Sequence, residues 1–345
     1  MSTVAVEQIA PKIGDAFFSQ NCVDLISRDL GGQIIARSDD FFASAENLIT
    51  PTAPIRREGV FVDTGAWYDG WETRRHNSEP SDWVIAKVGA SSGRIAGIEI
   101  DTAYFIGNHA PAVSVEATFS PNKVPDTNAF WTPILPKVSC GPSQRHLFRL
   151  KTPSDQSYTH VRLQMYPDGG IARFRVYGNV APVFPADLDV RLDLAHMYLG
   201  GLVVQCSDQH FGRKDNLILP GRGVNMGDGW ETARSREPGH VDWVIVKLGT
   251  KGYIDDVLVD TNHFKGNYPK EVILEATDSP DHVPGPHCIW ETILTAQKLG
   301  PHMEHTFFDL DNVSTPKTHV RMIIVPDGGV KRLRICGRHV KTPQK

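Results

Sequence analysis

One polar motif occurs twice in this chain. DGWETRR at Asp69–Arg75 returns as DGWETAR at Asp228–Arg234, 159 residues later. At the same offset, DTAYFIGN at Asp101–Asn108 returns as DTNHFKGN at Asp260–Asn267. A single offset kept over such a distance indicates that a whole domain has been duplicated. We therefore expect the chain to fold as two copies of one unit, called here the first and second repeats.

The two repeats differ in one loop. LGGQIIARSDDFF from Leu30 pairs with LGGLVVQCSDQHF from Leu199, an offset of 169, so the first repeat has ten extra residues. These lie between Ile49 and Asp69. Insertions that leave their flanks in register belong in surface loops. We therefore predict that the repeats differ in the loop that leads into the DGWET motif.

Composition limits the class of protein and of partner. A length of 345 residues fits two domains of ordinary size. The net charge of −4 argues against nucleic acid or an anionic membrane as the main partner. No segment approaches the roughly 20 apolar residues of a membrane helix, and the start of the chain lacks the pattern of a signal peptide. The five cysteines are odd in number and none aligns between repeats, which favours free thiols and a cytoplasmic location.

The secondary structure is predicted to be mostly strand. Asp82–Gly89 and Asp242–Gly249 are short runs rich in β-branched residues. Val161–Gly178 is predicted to form a hairpin, because apolar and polar residues alternate on both sides of an Asp-Gly-Gly turn. Helical periodicity is weak except for a short segment near Asp39–Leu48.

Each repeat is therefore predicted to be an antiparallel β-sandwich of two sheets, so the fold class is all-β. Residues 179–191, with Pro182 and Pro185, are predicted to be the linker. This places the first domain at 15–180 and the second at 190–340.

The DGWET loop combines acidic, aromatic and basic side chains. Glu72 lies beside Trp71, and desolvation there could raise its pKa, as a general acid requires. Arg74 and Arg75 could bind a carboxylate through paired hydrogen bonds. In the structural alternative, Trp71 fills the core, Asp69 makes a turn, and Glu72 pairs with Arg75. The candidates at the matching positions of the second repeat are Asp228, Trp230, Glu231 and Arg234.

The DTxxFxGN loop is the second candidate. Asp101, Thr102 and Asn108 are short polar residues at the end of a predicted strand, suited to bonding amides or hydroxyls. The structural alternative is that they bond their own backbone in a turn. Their counterparts in the second repeat are Asp260, Thr261 and Asn267.

Common phosphate- and metal-binding motifs are absent from the sequence. It contains no GxxxxGK and no HxH pair. Of the fourteen histidines, only His160 and His319 keep their place and their neighbours in both repeats. A divalent metal held by scattered carboxylates and histidines stays open, without a readable ligand motif.

The combination of motifs resembles the allantoicase family. DGWETRR is followed by DWVIAKVG, DTAYFIGNHAP and YPDGGIARFRVYG, and all are echoed in the second repeat, so the resemblance extends from about Asp15 to Gly337. It implies a hydrolase of purine catabolism that converts allantoate and water to ureidoglycolate and urea. It also implies two jelly-roll sandwiches resembling galactose-binding-like domains, in a homo-oligomer. The second repeat has Ala233 for Arg74 and Ser235 for His76, which leaves open whether both repeats are catalytic or one carries the site and the other supports it.

The resemblance suggests a role for each candidate. Allantoate is a carbon that bears one carboxylate and two ureido groups. Glu72 or Glu231 would donate a proton to the departing nitrogen, and a carboxylate such as Asp101 or Asp260 would assist the water. Arg74 and Arg75 would hold the substrate carboxylate. The ureido groups would be bonded by Asn108 and Thr102.

A second class of function is a carbohydrate-binding protein without turnover. In that case Trp71 and Trp230 would stack on sugar rings. The clustering of arginine with glutamate argues against it, because it suits an anion better than a neutral sugar. A catalytically inactive assembly subunit is a third alternative.

Overall fold

The structure, a computed structural model, describes residues 5–341, and contacts divide the chain between Ala181 and Pro182. Strands dominate both parts, so the predicted all-β fold with two tandem sandwiches is confirmed. The proposed domain limits remain 15–180 and 190–340. Within the described residues, no helix is long and apolar enough to span a membrane.

The first repeat contains one α-helix, two 3-10 helices and a series of strands. The 3-10 helices are Arg28–Leu30 and Ala45–Ile49. The other elements are β1 (Val6–Ile9), α1 (Pro11–Asn21), β2 (Val23–Asp24), β3 (Gln33–Arg37), β4 (Phe61–Val62), β5 (Gly65–Ala66), β6 (Trp71–Glu72), β7 (Asp82–Lys87), β8 (Gly93–Asp101), β9 (Ala112–Thr118), β10 (Thr132–Ser139), β11 (Arg145–Leu150), β12 (His160–Tyr166), β13 (Gly170–Ile171) and β14 (Arg173–Val180).

Two five-stranded antiparallel sheets form this sandwich. One has the order β1-β11-β8-β14-β2 and the other β10-β9-β12-β7-β3. Alternation along β12 buries Val161, Leu163 and Met165 completely, while Arg162 and Gln164 are only half-buried. Each buried aliphatic side chain of this size contributes about 1.5–3 kcal/mol, so the inward row of β12 stabilises the contact between the two sheets.

The predicted hairpin at Val161–Gly178 is wrong, although its strands are present. β12 pairs with β7 and β9, whereas β14 pairs with β8 and β2, so the Asp-Gly-Gly turn carries the chain from one sheet to the other. Between them, Gly170 and Ile171 form β13 and pair with β6. The alternation was correct because both strands have one face in the core, which does not reveal the partner strand.

A helix that the sequence pattern did not predict precedes the first sandwich. α1 begins with a proline in its first turn and buries Phe18, which is 2% exposed, against Ala96 and Leu147. The phenyl ring of Phe18 also stacks on Tyr177 with 4.3 Å between ring centroids. The helix predicted near Asp39–Leu48 is reduced to the 3-10 helix that begins at Ala45.

The second repeat is built from the same kinds of element. Its 3-10 helices are Met197–Leu199, Lys214–Ile218 and Met226–Asp228. Its strands are β15 (Leu192–Asp193), β16 (Leu202–Cys206), β17 (Trp230–Glu231), β18 (Asp242–Asp260), β19 (Glu271–Thr277), β20 (Glu291–Lys298), β21 (Glu304–Phe307), β22 (Lys317–Val325), β23 (Gly329–Val330) and β24 (Arg332–His339).

One long strand belongs to both layers of the second sandwich. The first half of β18 pairs with β16 and β22, and its second half pairs with β21 and β24. In the first repeat the same path is divided into β7 and β8. The pairing of β18 with β22 is irregular between Lys247 and Gly252, and at Gly249 an added Cβ would overlap the carbonyl oxygen of Leu199. The two repeats therefore share one topology.

The loop before the DGWET motif differs between repeats, as predicted. In the first repeat it contains the small hairpin β4–β5, and in the second it contains the 3-10 helix Met226–Asp228. Beyond this loop the motif enters a short two-stranded ribbon in each repeat. Glu72 pairs with Gly170 in β6–β13, and Glu231 pairs with Gly329 in β17–β23. These ribbons hold each glutamate beside the Asp-Gly-Gly turn.

Candidate functional site

The tryptophans of the DGWET motifs are core residues. Trp71 and Trp230 are both 0% exposed. Their indole N–H groups donate to the carbonyl oxygens of Asp39 at 2.7 Å and Asp208 at 2.8 Å. Neither ring can stack on a ligand, so the structural alternative accounts for both. The carbohydrate-binding alternative thereby loses its aromatic platform.

The aspartates that begin the two motifs are ion-paired within the protein. Oδ2 of Asp69 accepts from the buried guanidinium of Arg173 at 2.7 Å and from the N–H of Ile55 at 2.9 Å. Asp228 pairs with the ammonium of Lys331, which is 0% exposed. A carboxylate that neutralises a buried cation stabilises its loop and is not available to a substrate.

The threonines of the DTxxFxGN loops bond the backbone. Thr102 and Thr261 are 0% exposed, and each hydroxyl donates to a glycine carbonyl at 2.7 Å, that of Gly141 or Gly300. Both threonines therefore hold their loops and are not candidates for substrate binding.

The aspartates of the same loops are also buried. Oδ1 of Asp101 accepts from the N–H of Ala103 at 2.8 Å. Burial raises the pKa of Asp101, and the bond from Ala103 opposes that shift. Asp260 is paired with Arg222, whose Nε lies 3.0 Å from Oδ2. Both carboxylates hold turns, as the structural alternative proposed.

Arg74 is occupied by a neighbouring loop. Its Nη1 lies 2.6 Å from Oδ1 of Asp39, and its guanidinium lies 4.3 Å from the centre of the Phe41 ring. Ala233 replaces it in the second repeat, where the backbone N–H still donates to Asp208 at 2.6 Å. The loop geometry is thus kept without the arginine, which makes Arg74 a poor candidate for a shared binding role.

The structure brings one glutamate and one asparagine together in each repeat. Nδ2 of Asn108 donates to Oε1 of Glu72 at 2.8 Å. Asn267 donates to Oε1 of Glu231 in the same way. Each pair joins the DGWET loop to the DTxxFxGN loop. The sequence pointed to all four residues but not to their pairing.

The two glutamates differ in burial. Glu72 is 7% exposed, whereas Glu231 is half-buried. Burial raises the pKa of Glu72, and the bond from Asn108 and the charge of Arg75 oppose the shift. Burial therefore makes Glu72 a candidate proton donor, while Glu231 is the glutamate that lines a pocket.

A pocket of about 780 Å³ opens beside the pair of the second repeat. It brings together three of the residues predicted for a site, Glu231, Arg234 and Asn267. Its volume is within the usual range for a small-molecule site. The sequence did not single out the side chains that complete its lining, which include Phe211, Thr232, Tyr268, Lys270, Lys298 and Asp327.

The two lysines were missed for an identifiable reason. Lys270 and Lys298 stand where the first repeat has Pro111 and Ser139. A search for residues that the repeats share selects the scaffold and passes over such positions. The useful signal would have been a charge gained in one repeat next to a shared motif.

Charge makes this pocket suited to an anion. Arg234, Lys270 and Lys298 outnumber the carboxylates of Glu231 and Asp327, so the lining carries one net positive charge. Cationic side chains form strong, charge-assisted hydrogen bonds to carboxylates. The Glu231–Asn267 pair adds acceptors for N–H groups, so the pocket fits an anion that also carries amides.

The duplicated histidines are accounted for by local bonds. Nδ1 of His160 lies 2.8 Å from Oγ1 of Thr159, and Nδ1 of His319 lies 2.9 Å from Oγ1 of Thr318. Both rings are 0% exposed. In residues 5–341, no three His, Cys, Asp or Glu side chains are grouped so that they could hold a metal ion.

Comparison with known proteins places the chain in a family. The family model described as "Allantoicase repeat" matches residues 23–181 and 192–340. The chain is 75% identical over 338 residues to a protein of Schizosaccharomyces pombe named "Probable allantoicase", covering 98% of this chain and 99% of that protein. It is 48% identical over 322 residues to the allantoicase of Saccharomyces cerevisiae, covering 91% of this chain and 93% of that one. A crystal structure of allantoicase from Saccharomyces cerevisiae matches with a TM-score of 0.85 and 45% identity, covering 96% of this chain and 100% of that one. This chain therefore belongs to the allantoicase family.

Proposed function

We propose that this chain hydrolyses allantoate to ureidoglycolate and urea, in the pocket of the second repeat. Family membership supports the reaction. One observation carries the location: the pocket sets the Glu231–Asn267 pair beside three cationic side chains. Allantoate needs both features, because it carries a carboxylate and two ureido groups on one carbon.

The ureido groups are bound by the glutamate–asparagine pair. Asn267 uses an N–H of its amide to hold Oε1 of Glu231. An asparagine amide also has a carbonyl oxygen, which is left to accept an N–H of the substrate. The other carboxyl oxygen of Glu231, Oε2, then faces a second nitrogen of the substrate.

The substrate carboxylate is held by the cations. Arg234 presents a planar guanidinium that can bond both carboxylate oxygens, while Lys270 and Lys298 act as point charges. Together they fix the central carbon, so that one ureido group faces Glu231.

Urea leaves first in the proposed mechanism. The carboxyl group of Glu231 gives its proton to the departing nitrogen as the bond from the central carbon to that nitrogen breaks. The lone pair of the other ureido nitrogen moves to the carbon and stabilises the positive charge. Positioned acid–base catalysis of this kind contributes about 10²–10⁴-fold.

Water then completes the reaction. Its oxygen bonds to the central carbon, and its proton returns to the carboxylate of Glu231, so the cycle closes with one water consumed. Asp327 is the second carboxylate of the pocket, held by the N–H of Ser235 at 2.8 Å. It is placed to orient the water, in the role first considered for Asp101 and Asp260.

Release of urea from allantoate tests the proposal. The purified protein is assayed as it stands, with a chelator, and with added divalent metal, because a metal requirement is open. Turnover that falls by about 10²–10⁴-fold in Glu231→Gln supports both the reaction and its location. A folded protein without turnover in all three conditions would refute the reaction, and a loss of less than tenfold in Glu231→Gln would refute the location.

The enzyme is further proposed to work in the cytoplasm as a homo-oligomer. All five cysteines are free, as expected in a reducing compartment. Large apolar side chains such as Phe61, Phe130 and Ile289 are 72–80% exposed, and a second subunit could cover them. Light scattering of the purified protein and fractionation of cells test the two statements separately.

A further inference from the structure

The first repeat keeps the pair that binds ureido groups in the proposed mechanism. Asn108 holds Oε1 of Glu72 at 2.8 Å. In the part of the chain that the structure describes, neither Oε2 of Glu72 nor Oδ1 of Asn108 accepts a hydrogen bond. Glu72 is 7% exposed, and its Oε2 is not among the fully buried polar atoms that lack a partner, so this oxygen reaches solvent. A ligand that approaches from solvent can therefore donate a hydrogen bond to it.

The surroundings of this pair are open. An added Cβ at Gly107 would meet no other atom within 4 Å. Arg75 is exposed and Asp168 is half-buried, and both correspond to residues that line the pocket of the second repeat. A small molecule can therefore approach the pair from solvent.

The charge beside the pair has the opposite sign from that of the second repeat. Pro111 and Ser139 stand in place of the two lysines. Among the positions that match the pocket lining, Arg75 is then the one formally charged cation, against the carboxylates of Glu72 and Asp168, which leaves one net negative charge. An anion such as allantoate is disfavoured here, whereas a neutral molecule is not.

The inserted loop, which only the first repeat has, lies beside the same motifs. Oγ1 of Thr64 donates to the carbonyl oxygen of Phe42 at 3.4 Å, and Phe42 matches the pocket residue Phe211. Tyr68 stacks on Phe105 with 4.7 Å between ring centroids. These two contacts attach the inserted loop to the DGWET side and to the DTxxFxGN side of the first repeat.

We propose that the first repeat is a second binding site, which takes a neutral ureide on Glu72 and Asn108. The inference rests on the proposed function, since it assigns to this pair the same ureido recognition. The N–H groups of the ligand donate to Oε2 of Glu72 and Oδ1 of Asn108. Arg75 donates to its carbonyl oxygen.

Two matched probes test the site. N-carbamoylglycinamide is neutral and N-carbamoylglycine is an anion, and both carry the same ureido group. Binding of each to the full chain is measured by calorimetry or ligand-observed NMR. The proteins are the unmodified chain, Glu72→Ala, and the double variant Lys270→Ala/Lys298→Ala.

The two variants are expected to weaken different probes. Glu72→Ala should weaken the neutral probe at least tenfold and leave the anion within about threefold, because one hydrogen bond to a carboxylate is worth roughly 1.5–3 kcal/mol. The double variant Lys270→Ala/Lys298→Ala should weaken the anionic probe at least tenfold and leave binding of the neutral probe within about threefold. Neutral-probe binding that is unaffected by Glu72→Ala overturns the second site, whereas anion binding that is unaffected by the lysine variant overturns the proposed function instead.

A gain of anion binding provides an independent check. Pro111→Lys/Ser139→Lys copies the lysines of the second repeat into the first, in a background that carries Lys270→Ala/Lys298→Ala. The anionic probe should recover affinity at least tenfold, and loss of that affinity with Glu72→Ala would locate it. Ser139→Lys alone serves if the proline change prevents folding, as judged by circular dichroism. No recovery in a folded variant contradicts the proposal.

Discussion

The side-chain amide of Asn108 donates to Oε1 of Glu72, 36 residues earlier in the chain, at 2.8 Å. Asn267 and Glu231 repeat this relationship with the same separation. The bond fixes one oxygen of each carboxyl group and leaves the other for a ligand. Because the pair is common to both repeats, the residues around it must decide what each repeat does.

Glu231→Gln should lower kcat for urea release by about 10²–10⁴-fold, since the amide cannot transfer the proton. Glu72→Gln should lower it less than tenfold, because the first repeat has no counterpart of Lys270 and Lys298, two of the three cations that hold the substrate carboxylate. Both substitutions keep the size of the side chain. Steady-state assays and circular dichroism on the two variants check this.

The relative loss of kcat in Glu72→Gln and Glu231→Gln decides which repeat is catalytic. If Glu72→Gln caused the larger loss in a folded protein, catalysis would have to be moved to the first repeat. Equal losses would require both repeats to be catalytic.

Lys298→Ala should raise KM for allantoate about tenfold, with a smaller change in kcat, because it removes a charge that binds the substrate carboxylate. Lys270→Ala should have a weaker effect, since its Nζ also lies 3.4 Å from Glu271. Added salt should reduce both differences by screening. The measurement is KM for each variant at low and high ionic strength.

Lys251→Ala is the matched control for these variants. Lys251 pairs with Asp278 and does not line the pocket, so KM should change less than twofold. A comparable rise in KM there would show that general surface charge, and not the pocket, determines the affinity.

Much of the fold was predictable because it repeats. The duplication, the all-β class and the buried rows of strands such as β12 follow from motif spacing and alternation. Strand partners do not follow, because alternation shows only that one face is buried. The turn at Asp168–Gly170 therefore looked like a hairpin, although it joins two sheets. α1 was missed because few of its residues are buried, Phe18 among them.

The site was predictable only in part, for a related reason. Shared motifs pointed to Glu231, Arg234 and Asn267, which do line the pocket. The same criterion also selected Trp230 and Thr261, which are shared because both repeats need them for packing and turns. Residues that distinguish the repeats carry no duplication signal, and their position became visible only with the fold.

Trp230→Phe should destabilise the second repeat by about 1–3 kcal/mol, because the carbonyl oxygen of Asp208 loses its buried donor. The folded fraction should retain kcat, since the ring does not reach the pocket lining. Chemical denaturation monitored by circular dichroism gives the free energy of unfolding. Loss of kcat without loss of stability would instead place Trp230 in contact with the substrate.

The stability of the second repeat should depend on His319 between pH 6.5 and 4. Burial lowers the pKa of His319 to about 4, against the opposing bond to the carbonyl of His282. On lowering the pH from 6.5, the unfolded chain binds a proton at this histidine that the folded chain does not, so stability falls until about pH 4. At about 1.36 kcal/mol per pH unit, the loss approaches 3 kcal/mol. His319→Gln should reduce the slope of the free energy of unfolding in this range without removing it, since the pKa of His196 is also lowered to about 4 by burial. His287→Gln, on the surface, should keep the full slope. An unchanged slope in His319→Gln would mean that other groups cause the acid sensitivity.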